Sequence, residues 1–227
     1  MKVIGHRGAA GLALENTLES ITAAKQAGVD AIEFDVRLTA DDQFVLCHNS
    51  TTQQVSAKAV TISELTYGEL SKVVLHNGES IPTLQQALKA AGTTPILIEV
   101  KGEAWASKLA TFLNSRDTKK ISVIAIDHKE LARFHKLVPG VKTYAILKFH
   151  ASELLEAIKF AARSGFTGVD MNFWLLNPYT YRLARQNKLT VIVYTVNYRW
   201  IARYLQRLFP EFIVTTDHPK RMEFLRK

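Results

Sequence analysis

Cysteine is nearly absent from this chain of 227 residues. With Cys47 as the one thiol, an intrachain disulfide is excluded, which agrees with a reducing compartment. Missing too are an apolar run of membrane-spanning length and a basic-then-apolar leader before the strand-like Lys2-Val3-Ile4-Gly5, so the expected location is cytoplasmic. No Cys/His cluster has zinc-ligand spacing. Nor is there a linker, a low-complexity tract or a repeat. That leaves one expected domain over residues 1–227, long enough to bury a sizeable core.

Acidic residues are in deficit: 21 Asp and Glu against 29 Lys and Arg give a formal net charge of +8. Nucleic acid, an anionic membrane surface or a phosphorylated substrate would all be attracted by that balance. Much of the excess lies late in the chain, where Arg199, Arg203 and Arg207 recur at helical spacing and Lys220, Arg221, Arg226 and Lys227 follow. A solvated helix face accounts for the recurrence, so charge alone assigns no partner.

What the chain does have is alternation. Strand-like runs cover 3–5, 32–36, 44–47, 96–100, 121–126, 143–147, 168–171, 191–195 and 212–214. Helix-like segments lie between most of them, over 17–27, 84–91, 104–113, 129–137, 152–164, 179–186 and 198–208. This order predicts an α/β fold with a parallel sheet and helical crossovers. The residues between Asp35 and Phe44 are too few for a parallel crossover. Ile32 to His48 therefore reads as a hairpin, and a two-residue turn at Asp41-Asp42 would set His48 directly across from Asp35. Without the return strand, the remaining runs predict a (β/α)₈ barrel, whose chemistry belongs at the C-terminal strand ends.

Polar residues collect at those ends. In Ala31-Ile32-Glu33-Phe34-Asp35-Val36-Arg37 the period of two puts Glu33 and Asp35 on one face, where paired carboxylates repel unless a cation or a shared proton lies between them. Glu99 falls within its own apolar run, and a cation shared with Glu33 and Asp35 would remove the cost of burying it. Three carboxylates suit a hard divalent ion such as Mg²⁺ or Ca²⁺. His6 and His48 can supply an acid and a base near neutral pH, and Arg7 and Lys101 add fixed positive charge. Such a set is suited to breaking a phosphate ester.

His6-Arg7-Gly8-Ala9, Glu15-Asn16-Thr17, Glu33-x-Asp35, His48, Ile81-Pro82-Thr83-Leu84, Glu99-x-Lys101, Val193-Tyr194-Thr195-Val196-Asn197 and Thr216-Asp217-x-Pro219, in this order and spacing, resemble the glycerophosphodiester phosphodiesterases. The resemblance runs from Gly5 to Pro219. It implies a TIM barrel with a small insertion over about 49–80. It also implies a metal held by Glu33, Asp35 and Glu99, His6 and His48 as the general acid/base pair, and Arg7 and Lys101 on the phosphate. The implied reaction is hydrolysis of a glycerophosphodiester to sn-glycerol 3-phosphate and an alcohol such as choline or ethanolamine. Attack comes either from water or from the glycerol 2-hydroxyl through a cyclic phosphate.

The chain departs from that pattern at several places. Leu14 stands where proline is usual, Asn49 where aspartate follows the second histidine, Gln54 where arginine is common, Ala125-Ile126 for Ser-Phe, and Tyr194 for tryptophan. Tyr194, Trp174 and His218 are candidate pocket-wall residues, while Trp105 and Trp200 are expected in core or interface. His76, His128, His135 and His150 are expected at the surface. Two other functions fit part of the sequence. A lysophospholipase D at anionic membranes would use the basic, aromatic segment Tyr198-Arg199-Trp200-Ile201-Ala202-Arg203-Tyr204. A non-catalytic nucleic-acid binder would use the charge alone, but it leaves the acids and paired histidines unexplained, so no nucleic acid is expected.

Overall fold

The computed structural model describes residues 1–147 and 151–225; His150, Arg226 and Lys227 lie outside the described residues. Its strands are β1 (Val3–Gly5), β2 (Ala31–Leu38), β3 (Phe44–Leu46), β4 (Ile96–Val100), β5 (Ile121–Ala125), β6 (Lys142–Leu147), β7 (Gly168–Asn172), β8 (Thr190–Tyr194) and β9 (Ile213–Thr216). Each strand except β3 pairs in parallel with its neighbours, and β1 joins both β2 and β9. Among the described residues this closes an eight-stranded parallel barrel, the predicted (β/α)₈ architecture.

The helices are α1 (Leu18–Gln26), α2 (Tyr67–Leu70), α3 (Leu84–Ala91), α4 (Ala106–Leu113), α5 (His128–Leu137), α6 (Ala151–Arg163), α7 (Pro178–Gln186) and α8 (Arg199–Leu208). Several starts are fixed locally. Thr17, Thr83, Asp127 and Asn177 each accept hydrogen bonds from the first free N–H groups of α1, α3, α5 and α7. Leu14 in place of proline therefore leaves the cap of α1 intact.

The period of two sorts the strand residues into two cores. Ile32, Phe34, Val36, Ile98 and Val123 point outward and pack under Leu109, Phe134 and other helix residues. Ile4, Leu97, Ile124, Tyr144, Ile146 and Ile192 fill the barrel interior. Each such buried side chain stabilises the fold by roughly 1.5–3 kcal/mol. With Ile32, Phe34 and Val36 facing out, Glu33 and Asp35 must face in.

The hairpin differs from expectation by one residue. Its pairs are Val36 with Leu46, Arg37 with Val45 and Leu38 with Phe44. The turn takes three residues, Ala40-Asp41-Asp42, because Asp42 adopts φ +59° and lets the Thr39 N–H reach the Gln43 carbonyl. In that register His48 would follow Phe34 outward. The ladder ends at Leu46 instead: Cys47 N still donates to Asp35 O at 3.2 Å, and the chain then leaves the pleat. Past β3, Val55, Ile62, Leu70, Val73, Leu75 and Ile81 form a second small core with Val45 and Cys47. The short helix α2, which periodicity did not predict, belongs to it.

Trp105 is fully buried against Phe134, as expected, but Trp200 is exposed. His128 and His135 are half-buried rather than free at the surface: His128 Nε2 lies 2.8 Å from Ile146 O, and His135 Nδ1 lies 3.2 Å from Thr143 Oγ1. His76 is exposed. Among the described residues no helix is long and apolar enough to cross a membrane.

Candidate active site

The edge of β2 facing β1 has strand partners only at its two ends, β1 at Ala31–Ile32 and β3 from Val36 onward. Between them the backbone groups of Glu33 and Asp35 need other partners. The loop after β1 provides them. Gly8 N donates to Glu33 O at 2.8 Å, and Asp35 N donates to Asn16 Oδ1 at 3.0 Å. To reach this position the loop takes left-handed backbone at Arg7 (φ +49°), Gly8 (φ +86°) and Asn16 (φ +57°). At Gly8 a side chain would also collide with Ser20. Arg7 N, turned inward by this conformation, donates to Glu33 Oε2 at 2.8 Å. Backbone strain thus sits where the acidic residues are, as it commonly does at functional sites.

Glu33, Asp35 and Glu99 each bring an oxygen within 4.8 Å of the others. Adjacent strands account for this, since Asp35 and Glu99 are register partners across β2 and β4. Asp35 Oδ2 accepts from Asn16 Nδ2 at 2.9 Å and lies 3.5 Å from Arg7 Nε, while Oδ1 is 3.1 Å from Lys101 Nζ. Lys101 also pairs with Glu99, and Arg7 Nη1 donates to both oxygens of Glu15 at 2.9 Å. Four carboxylates therefore surround two fixed cations. Burial raises Asp35, but Lys101, Arg7, His48 and Asn16 outweigh it and hold that carboxyl below its usual range. Burial, with Asp35 and Glu99 beside it, holds Glu33 well above. Burial and Asp35 push Glu99 up to about 7 against the pull of Lys101. Glu33 Oε1 is buried with no hydrogen-bond partner. An all-oxygen set short of two positive charges, with one orphaned oxygen, fits a hard divalent cation.

The two histidines are held differently. His6 Nδ1 lies 2.6 Å from Asp217 Oδ1, and Asn197 Nδ2 donates to Asp217 Oδ2 at 2.6 Å. Asp217 N and Thr216 Oγ1 donate in turn to Asn197 Oδ1. Burial raises Asp217, but the hydrogen bond and charge of His6 prevail and lower it. His48 Nδ1 instead meets a neutral group, Asn49 Oδ1 at 2.8 Å, and Asn49 Nδ2 donates to Gln54 Oε1 at 2.9 Å. The two departures at Asn49 and Gln54 are thus partners in one uncharged chain. Burial lowers His48; Asp35 opposes this, and Lys101 and Arg7 add to it.

A cavity of about 300 Å³ joins these parts. His6, Arg7, Glu33, His48, Glu99 and Lys101 line it, and Ile124, Ile126, Ile146, Asp170, Tyr194 and Thr215 complete the wall. Of the three candidate wall residues only Tyr194 faces it. Trp174 is 73% exposed on a short turn after β7, and His218 lies against Gly11, where any side chain would collide with its ring. Asp217 and Asn197 stood in the family-like motifs at strand ends, but their link to His6 needs the closure of β9 onto β1. Thr215 was visible only as part of the polar end of the last strand, and Asp170 carried no sequence signal.

The family model described as "Glycerophosphoryl diester phosphodiesterase family" matches residues 6–221. The Bacillus subtilis protein YhdW is 30% identical over 235 residues, covering 96% of this chain and 95% of that protein. Human lysophospholipase D GDPD1 is 31% identical over 160 residues, covering 65% of this chain and 47% of that protein. In fold, the chain is similar to an Oleispira antarctica phosphodiesterase solved with the product sn-glycerol-3-phosphate. The TM-score is 0.87 and the identity 20%, over 99% of this chain and 96% of that one. With a model match over nearly its whole length, the chain belongs to the glycerophosphoryl diester phosphodiesterase family.

Proposed function

We propose that this protein hydrolyses glycerophosphodiesters to sn-glycerol 3-phosphate and an alcohol such as choline or ethanolamine, with His6 and His48 as the acid/base pair. What supports this most is the convergence of both histidines, the acids Glu33 and Glu99, and the cations Arg7 and Lys101 on one cavity. Glu33, Asp35 and Glu99 would hold the divalent ion, Mg²⁺ or Ca²⁺. When bound, that ion offsets charge on the non-bridging phosphate oxygens. Arg7 and Lys101, fixed by Glu15, Asp35 and Glu99, bind the phosphate from the same side. Asp217 and Asn49 each take the Nδ1–H of a histidine, which leaves Nε2 of His6 and of His48 to exchange protons with the attacking and leaving oxygens. The test is product analysis over a panel of glycerophosphodiesters and lysolipids, with Mg²⁺, Ca²⁺ or chelator. Metal-dependent release of sn-glycerol 3-phosphate is expected, and turnover unaffected by chelator would exclude the metal.

A second reading, lysophospholipase D action at a membrane surface, draws on one exposed patch. Tyr198, Trp200 and Tyr204 stand in solvent beside Arg199, Arg203, Arg207 and Arg221. Aromatic rings among arginines suit weak contact with anionic lipid. Co-sedimentation with anionic vesicles at low salt checks it: pelleting that Trp200→Ala weakens is expected, and no pelleting removes the reading.

A further inference from the structure

Two buried polar atoms on the cavity wall take no part in the charged cluster. Asp170 in β7 is 3% exposed and Thr215 in β9 is 2% exposed, and both line the cavity. Neither Asp170 Oδ1 nor Thr215 Oγ1 has a hydrogen-bond partner among the described residues. Asp170 is the register partner of Ile146 and Ile192, which fill the barrel interior, so an acid stands in a layer its neighbours build from isoleucine. Burial holds its carboxyl well above the ordinary range; Glu99 adds to this and only the Met171 backbone opposes it. A buried carboxyl left in that state weakens the fold unless something else satisfies it.

The chemistry of the two atoms narrows what could do so. A quaternary ammonium has no hydrogen to donate and would leave both oxygens unsatisfied, and an anion would be repelled by Asp170 and Glu99. A hydroxyl both donates and accepts, so it pairs with a carboxyl in either protonation state and with a threonine hydroxyl. The Tyr194 phenol, on which Asp170 acts electrostatically, adds a third hydroxyl-compatible group to the same wall.

We infer that Asp170 and Thr215 form a hydroxyl-binding subsite that reads the polyol end of the substrate, as distinct from its ammonium-bearing end. This rests on the phosphodiesterase reading and names the two residues that would select for a short polyol. The experiment is calorimetric titration of the Mg²⁺-loaded protein with sn-glycerol 3-phosphate, O-phosphoethanolamine and inorganic phosphate, repeated for Asp170→Leu and Thr215→Val. The parent is expected to favour sn-glycerol 3-phosphate over the other two by about tenfold, the worth of roughly one good hydrogen bond to a charged or buried partner. Each variant should reduce that preference to within about threefold while inorganic phosphate binds as before. Asp170→Leu should also raise the melting temperature, which a purely structural aspartate would not permit.

Equal binding of the three ligands by the parent overturns the inference, as does an unchanged preference in both variants. A preference for O-phosphoethanolamine that Asp170→Leu abolishes would make this an ammonium site and overturns it too. The phosphodiesterase reading fails separately, if no glycerophosphodiester is hydrolysed by a parent that still discriminates the three ligands.

Discussion

From β1 to β4 the cavity wall is held by charge and by hydrogen bonds that can each be traced: Arg7 to Glu15 and Glu33, Lys101 to Asp35 and Glu99, His6 to Asp217. From β5 to β9 it is Ile124, Ile126 and Ile146, with Asp170 Oδ1 and Thr215 Oγ1 buried without a hydrogen-bond partner among the described residues. The first half is already organised for a reaction at phosphorus, because its groups are fixed before substrate arrives. Glu33 Oε1, unpartnered in the first half, belongs to the acid cluster, whereas Asp170 Oδ1 and Thr215 Oγ1 lie outside it, the mark of a surface completed by its ligand. Reaction and recognition thus occupy adjoining arcs of one barrel mouth, which meet where β9 pairs with β1.

The largest effect that would sharpen this division is on the charged side. His6→Ala should lower turnover of glycerophosphocholine on the order of 10²–10⁴-fold, the usual worth of a general acid or base, with the fold unchanged by circular dichroism. A comparable loss of turnover in Tyr194→Phe would break the division. Next comes stability. Asn16 satisfies both the backbone N–H and a carboxylate oxygen of the buried Asp35. Asn16→Ala should therefore cost about 1–3 kcal/mol for each group orphaned, read from denaturant midpoints at constant slope.

A smaller effect compares the two histidines. Asn49→Asp would place a carboxylate against His48 Nδ1, as Asp217 already stands against His6, and favour the protonated ring. The pH–rate profile should move to higher pH, whichever step His48 serves. No movement would mean that Asn49 does not set the behaviour of His48. The smallest effect concerns Asp217, whose folded value is depressed. Its contribution to stability is full above the ordinary aspartate value and is lost as pH falls through the depressed one. Asp217→Asn should accordingly flatten the acid side of the stability–pH curve and leave the neutral region little changed in slope.

The charged arc was legible in sequence because its signals are local. Glu33 and Asp35 two apart in a strand, and Glu99 inside an apolar run, needed only the strand period to be placed. The positions of the strands followed from the same pattern. What could not be read was anything that depends on a count of turn residues or on closure of the barrel. The left-handed Asp42 made the hairpin turn three residues long and shifted the register, and His48 reaches the cavity only because the chain leaves the ladder after Leu46. Asp217 meets His6 across 211 residues of chain. On the recognition arc, Asp170 in Gly168-Val169-Asp170-Met171 reads as one polar residue in a strand, and nothing local says that it faces a cavity rather than solvent. Trp174, a candidate wall residue from sequence, is mostly exposed and does not line the cavity.

Equilibrium metal binding tests the convergence of the three acids most directly. Titration of Mg²⁺ or Ca²⁺ into the chelator-treated protein should show one ion per chain. Protons should be released near neutral pH as Glu33 and Glu99, both held above their ordinary values, are forced to ionise. Glu33→Gln and Glu99→Gln should each abolish that binding and glycerophosphocholine hydrolysis together. Metal binding that survives both substitutions, or hydrolysis that survives the loss of metal, would contradict a site built around one shared cation.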